Sequence, residues 1–438
     1  MNADWVYQTL ADFIIAEGGA EFVNGIVVDS PNVNKAGLKK VEAMCPTICT
    51  LLCTCHIISL FIKDVFKEGA CKELYRLANQ LGIKFRNVKW LADQLGAAQL
   101  SDELKVLPQF QHGPIRPLKA SATRMALKMM LVLRNKDLLP AYRPVCDSPA
   151  YTDKCESDDV LEHRGESDDE YEKKDKRSMS EVLLESKDKL LSDREKIKFQ
   201  DDLIKCLLPA FELLRLCDGS QLMSGELWRG SWKVQEHLRD YDEVEGLEHV
   251  SALWAKRWAQ FHHPAYSLAY VVNPRHFGCD QMSDDSVKAD VSKMLKPFFP
   301  NTERRAAVEG ALDRYLKQEG NFAQLDEMTD ERTVWSRTFI KTATPWRWWD
   351  KALLGPAEEG EEDLIWCAKR VLQLGVSSSI HERIFSHWKN IMGNHRTRLG
   401  RKRQRDQVFV YSNERVLSQI SKKQCVDMSS SEDEGEEV

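Results

Sequence analysis

The sequence predicts an α/β protein in which helices outnumber strands. Two short apolar runs, Val23 to Val28 and Ile48 to Leu52, are each followed at once by a segment with helical spacing. Strand and helix therefore alternate, as they do when helices pack on a parallel sheet. The stretches beyond them, about 70–140, 199–216 and 250–270, repeat their apolar residues every three or four positions. The chain has 438 residues, 42% of them hydrophobic, with 62 Lys+Arg against 68 Asp+Glu and a formal net charge of -6. That composition excludes a collagen-like fibre and a chain disordered throughout. Length favours two or three domains, or one domain carrying a large insertion. A nucleic-acid partner has to be read from where the charge sits, because the net balance is mildly acidic.

Taken in order, Val6 to Ile15 reads as a helix leading into the first strand. Val23 to Val28 is that strand, ending in Asp29-Ser30-Pro31, where Ser30 suits an N-cap and Pro31 a first helical position. The following helix carries Val33, Ala36, Leu38 and Val41. Ile48 to Leu52 is a second buried strand, and Ile57, Ile58, Phe61, Ile62 and Val65 form the apolar face of the helix after it. The apolar stretch Thr47 to Ile62 is shorter than the roughly 20 residues a bilayer requires and is interrupted by His56 and several Thr and Cys. No membrane partner is expected. The amino terminus lacks a basic region followed by an apolar core and cleavage site, so the chain is expected to stay inside the cell with its twelve Cys reduced.

Residues 1–140 thus form one block. Residues 141–198 turn acidic and read as a disordered loop, because so few large apolar groups cannot offset chain entropy. Residues 199–340 are helical again. Within 341–420, Leu364, Ala368, Val371 and Leu372 share a helical face, with Gly375 as a stop. Ser379-Ile380-His381-Glu382 has the form of a capping box, opening a helix whose apolar face is Ile384, Phe385, Trp388, Ile391 and Met392. Arg396, Arg398, Arg401, Lys402, Arg403 and Arg405 then form a basic cluster. Val408 to Leu417 fits either a strand or a helix, and 421–438 is an acidic tail.

The order Trp348-Trp349, apolar helix, Ser377 to Ser386, Arg396-x-Arg398-Leu399, then Val408 to Leu417 resembles the C-terminal dimerisation region of hAT-superfamily transposases. Ile26-Val27-Val28-Asp29-Ser30-Pro31-Asn32 is similar to the strand and Asp-rich turn of that superfamily's catalytic core, and Cys53-Thr54-Cys55-His56 matches its Cys-x-x-His element. A fainter likeness joins Trp254-Ala255-Lys256-Arg257-Trp258 and Ala269 to Pro274 to the family's insertion. The resemblance implies an incomplete RNase H-like core, interrupted by a large, mainly helical insertion and completed by C-terminal dimerisation helices.

Family members hold divalent metal with an Asp, Asp, Glu triad. Carried over by position, Asp29 is the second acid and Glu382 the third, with Cys53 and His56 bracing the core beside them. The first acid lies on a strand upstream of the Asp29 segment and has no counterpart here, nor has the family's amino-terminal zinc-binding domain. The resemblance therefore implies an amino-terminally truncated, catalytically inactive relative, and no cofactor. Were it active, Asp29 and Glu382 would hold Mg²⁺ or Mn²⁺, since two such ions need several carboxylates between them. Met125 also stands after Arg124 where relatives usually have an aromatic.

The implied partners are a second copy of the chain, as a homodimer or higher oligomer, and DNA, and the implied compartment is the nucleus. Trp348, Trp349, Phe385, Trp388, Val408 and Leu417 are the interface candidates, although Trp348 and Trp349 fit core anchors equally simply. Arg383, Arg396, Arg398, Arg401, Lys402 and Arg403 are the DNA-contacting ones. Two rival readings stand beside this: an active nuclease drawing its missing acid from Asp4, Asp64 or a partner copy, and a non-functional transposon remnant. Each candidate also has a plainer role, Asp29 in an Asx-turn, Glu382 in a helix cap and the cysteines as small buried hydrophobes.

Overall fold

The computed structural model describes residues 2–67, 69–118, 126–156, 179–219, 223–276, 281–325, 345–353 and 355–379. They form a helix-rich α/β protein with two strands among the described residues. Two compact units divide the chain, Met1–Val376 and Ser377–Val438, and the fold described here is that of the first.

It begins with α1 (Ala3–Ala16), whose first turn is closed by the Asn2 side chain accepting from the Trp5 N–H at 2.9 Å. Strand β1 (Gly25–Val28) leads through α2 (Asn32–Met44) to β2 (Cys49–Leu52). The strands are parallel, with Gly25 opposite Cys49 and Val28 opposite Leu52. Parallel neighbours need a crossover longer than a hairpin, and α2 supplies it.

Strand residues alternate faces, so the small sheet separates two apolar clusters. Ile14, Val23, Ile26, Leu38, Val41 and Ile48 form a small core beneath α1 and α2. Cys49 and Leu51 face the main core, against which α3 (Thr54–Val65) buries Ile57, Ile58, Phe61, Ile62 and Val65 completely.

The main core is helical. It takes in α4 (Gly69–Asn87), α5 (Lys89–Gln99), α6 (Leu127–Cys146) and α7 (Pro149–Glu156), then α8 (Met179–Ser186), α9 (Arg194–Cys217), α10 (Ser224–Arg239) and α11 (Val250–Phe261). After these come α12 (Pro264–Val271), α13 (Asp285–Phe298), α14 (Thr302–Lys317), the short α15 (Pro345–Trp348) and α16 (Glu361–Leu372). No helix of the described residues is long and apolar enough to cross a membrane. Gly360, at φ 82°, allows the start of α16 to reach α14, because a Cβ there would stand 2.1 Å from the Ala307 carbonyl oxygen.

α16 returns to the amino-terminal sheet. Arg370, 4% exposed, spends its guanidinium on five acceptors of one loop system. Nε donates to Thr47 O (3.1 Å), Nη1 to Glu21 O and Asn24 Oδ1 (both 3.3 Å), and Nη2 to Ala20 O (3.0 Å) and Val23 O (2.6 Å). All five donors of the planar fork are used. Asn24 Nδ2 donates to Gln373 Oε1 at 3.1 Å, and the Thr54 N–H donates to Val376 O at 2.9 Å.

Four expectations are corrected. The first strand starts at Gly25, not Val23, because Val23 closes a 3-10 turn and gives its carbonyl to Arg370. The cap of α2 is Pro31 and not Ser30: Pro31 is extended (φ -54°, ψ 144°), and its carbonyl takes the Asn34 and Lys35 N–H groups. The disordered loop over 141–198 does not hold at its described ends, where helix continues and Tyr151 and Leu190 are fully buried. The helix carrying Leu364 and Ala368 stops at Leu372, three residues before Gly375, as its C-cap Gln373 N–H bonds back to Lys369 O.

Candidate functional site

Asp29 follows the last residue of β1 and precedes the first of α2, at the carboxyl end of the parallel pair. In open α/β layers this end, where strands stop and helix amino termini begin, is where ligands bind. The register carries past the sheet: the Cys53 N–H donates to Val28 O at 2.8 Å, so Cys53 stands beside Asp29. Cys53 is fully buried and caps α3. His56 lies half-buried in the first turn of that helix. On the outer side of β2, Val376 reaches the same end through its bond to Thr54. Asn34 Nδ2 donates to the Asp29 carbonyl at 3.4 Å, tying the turn to α2.

Of the sequence candidates, Asp29, Cys53 and His56 are thus brought to one end of the sheet. Glu382, Arg383, Phe385, Trp388, Arg396, Arg398, Arg401, Lys402, Arg403, Val408 and Leu417 lie outside the described residues. Trp348 and Trp349 take the core place of their two alternatives. Rather than facing a partner they are 3% and 1% exposed within their own unit, in an aromatic cluster with Tyr315 and Phe322, and Trp349 Nε1 donates to Val272 O at 2.9 Å. Burying the two indoles fills this core.

Asp4 and Asp64, the acids offered by the active-nuclease reading, are elsewhere. Asp4 pairs with Lys40 near the start of α1. Asp64 stands at the far end of α3, on Lys67 and Arg257, and these partners hold its carboxyl below the usual range despite burial that pushes the other way. α3 is twelve residues long, so about 15 Å of helix separates Asp64 from the Cys53 end. Among the described residues no three His, Cys, Asp or Glu side chains converge in a geometry for metal.

Two polar clusters went unread in the sequence. In one, Glu226 accepts from His276 Nε2 (3.0 Å), Asn273 Nδ2 (3.0 Å) and Arg275 Nη1 (3.4 Å). Burial raises the Glu226 carboxyl, but the His276 hydrogen bond and charge, with Asn273 and Arg275, outweigh it and bring it down to about 2. Arg229 Nη1 stands 3.1 Å from His276 Nδ1 and ties α10 to the same group.

In the other, Asp290 Oδ2 accepts from both Ser267 Oγ and His262 Nε2, each at 2.7 Å. The residue types are those of a serine triad, but the hydroxyl bonds the carboxylate and not the imidazole, so no base is aimed at the nucleophile. Both clusters hold helices together. The Asn273-Pro274 pair was a visible signal for the first, while the carboxylates came from helices distant in sequence. No protein-family model matches the chain, and no curated protein matches it.

Proposed function

We propose that the chain is a hAT-transposase-like protein that keeps the scaffold of an RNase H-like core, works as a homodimer or higher oligomer that contacts DNA in the nucleus, and does not cut DNA. The observation that supports this most is the long-range join. β1 and β2, at 25–52, and α16, at 361–372, meet through Arg370, the Asn24–Gln373 pair and the Thr54–Val376 bond, with the main helical core between them in sequence. A split α/β layer closed by a late helix is the arrangement that the motif order implies.

In this reading Asp29 and Glu382 are remnant acids, and Asp4 and Asp64 do not replace the missing one, being committed to Lys40, Lys67 and Arg257. Phe385, Trp388, Val408 and Leu417 supply the dimer contact. Arg383, Arg396, Arg398, Arg401, Lys402 and Arg403 supply the phosphate contact, in which each neutralised phosphate releases counterions.

Sedimentation velocity of the full chain tests it. The expected result is a dimer that shifts to monomer when Phe385→Ala and Trp388→Ala are combined, since two large apolar anchors are then lost, with the far-ultraviolet spectrum unchanged. A folded double variant of unaltered mass would remove the dimer reading. The same preparation is expected to leave hairpin and nicked DNA intact in Mg²⁺ or Mn²⁺. Cleavage that disappears in both Asp29→Asn and Glu382→Gln would replace the inactive reading with an enzyme.

A further inference from the structure

Charge is unevenly distributed along the first unit. Residues 84–143 contain eleven Lys and Arg against four acids, Asp93, Asp102, Glu103 and Asp137, a net of +7 within a chain of net charge -6. At the centre of this stretch runs a strap, 113–118, with the sequence Gly-Pro-Ile-Arg-Pro-Leu. Its two prolines fix φ at two of six positions.

The strap is held at three successive points. Gln99, 1% exposed, donates from Nε2 to Ile115 O (3.1 Å) and accepts the Ile115 N–H on Oε1 (2.8 Å). Arg134 Nη1, from α6, donates to Arg116 O at 2.8 Å. Arg86 Nη1, from the last turn of α4, donates to Leu118 O at 2.8 Å. Pro117 is buried against Gly82 of α4.

Pinned on both sides, Arg116 projects as an exposed side chain from a strap without freedom to retreat. Among the described residues, the paired acids of this stretch are engaged by other cations, Asp102 by Lys105 and Asp137 by Arg134. The nearest acid to Arg134 is Asp137, at 4.0 Å. Arg86 has a local reason to be where it is, since a cation suits a helix carboxyl end. Arg116 sits in neither a helix nor a strand, and its side chain is exposed. The carbonyls that receive Arg134 and Arg86 are two residues apart, hence at most about 7 Å, so two further guanidinium forks sit on the strap that carries Arg116. Lys84 and Lys89 flank the same end of α4.

We propose that this strap is a phosphate-contacting edge for nucleic acid, separate from the basic run at 396–405. Guanidinium forks match phosphate oxygens bidentately. A nucleic-acid strand, with one charge per about 3.4 Å of its axis, can engage several of them at once, whereas a lone phosphate engages one. The pinned backbone at Arg116 removes the backbone part of the ordering cost at the moment of binding.

Fluorescence anisotropy of the full chain with a labelled duplex of arbitrary sequence, and with its single strand, read from 50 to 200 mM salt, tests the proposal. Arg116→Glu should weaken binding roughly 10-fold or more near 0.1 M salt, and Arg116→Ala should lower the log–log salt slope by about one, with unfolding midpoints unchanged. Arg116→Lys should keep the slope. Affinity and slope equal to those of the parent chain in the Glu variant would overturn the strap, as would an Arg116-dependent affinity for polyglutamate with none for DNA. A chain altered at Arg396, Arg398 and Arg401 separates this from the proposed function. If binding is lost there while Arg116→Glu has no effect, the strap fails and the C-terminal reading stands. If Arg116→Glu weakens binding in a chain that sediments as a monomer, the strap stands and the dimer fails.

Discussion

At His263 one proton decides whether a helix keeps its cap. The ring accepts the Ala265 N–H on Nδ1 at 3.1 Å, closing the first turn of α12, and accepting requires an unprotonated Nδ1. Burial first, then the neighbouring charges of His262 and Lys293, bring its pKa down to about 4 from 6.5, against the opposing pull of Asp290. The folded value is depressed, so the stabilisation is complete above about 6.5 and is lost as pH falls toward 4, at most about 3 kcal/mol in all. His263→Asn keeps an acceptor at the cap and has no charge to gain. Its urea midpoint should therefore change less than the parent's between pH 7 and pH 4.5. Equal changes in the two proteins would show that another group carries the acid sensitivity. The sequence shows His262-His263-Pro264 as a helix start, but it does not show that Asp290 and Lys293 of α13 stand opposite.

The element that most depends on one side chain is the loop between α1 and β1. It has no sheet partner of its own, and Arg370 from α16 collects the carbonyls of Ala20, Glu21 and Val23, with the Asn24 amide oxygen. Truncating the arginine leaves buried carbonyls unsatisfied, each costing about 1–3 kcal/mol. Arg370→Met, which keeps much of the volume, should destabilise the chain by about 3 kcal/mol or more in urea titration. Arg370→Lys should recover less than half of that, since an ammonium has three donors and no planar fork. A loss below about 1 kcal/mol would mean that the loop is held by apolar packing alone. The helical face of Leu364, Ala368 and Val371 was legible from spacing, and all three are fully buried. Arg370 on the same helix reads in sequence as an ordinary surface cation. Only the approach of a loop about 350 residues away makes it a buried tie.

Across the whole molecule, the cysteines report how the two cores are sealed. Cys49, Cys53, Cys55, Cys71, Cys146, Cys206, Cys217 and Cys367 are buried, and Cys45 is the partly exposed one among the described thiols. Burial pushes the Cys49, Cys71 and Cys206 thiols up to about 12, so almost no thiolate is present at neutral pH. Brief maleimide labelling of the native chain, mapped by mass spectrometry, should modify Cys45 at least ~10-fold faster than those three, and urea should remove the difference. Fast native labelling of Cys71 or Cys206 would mean that the helical core opens locally.

By itself the sequence determined the strand–helix alternation at 23–65, the buried faces of α3 and α16, and the place of Asp29 at the turn after β1, because apolar periodicity and turn residues are local properties. The tertiary structure decided what depends on distant partners. It put Trp348 and Trp349 in the core and not at an interface, took Asp64 to the far end of α3, turned the ends of an acidic stretch into helix, and made Arg370 the tie between the ends of the first unit. The physical reason is the same in each case: burial and hydrogen-bond satisfaction are fixed by whichever segment packs opposite, and that segment is not written next to the residue it completes.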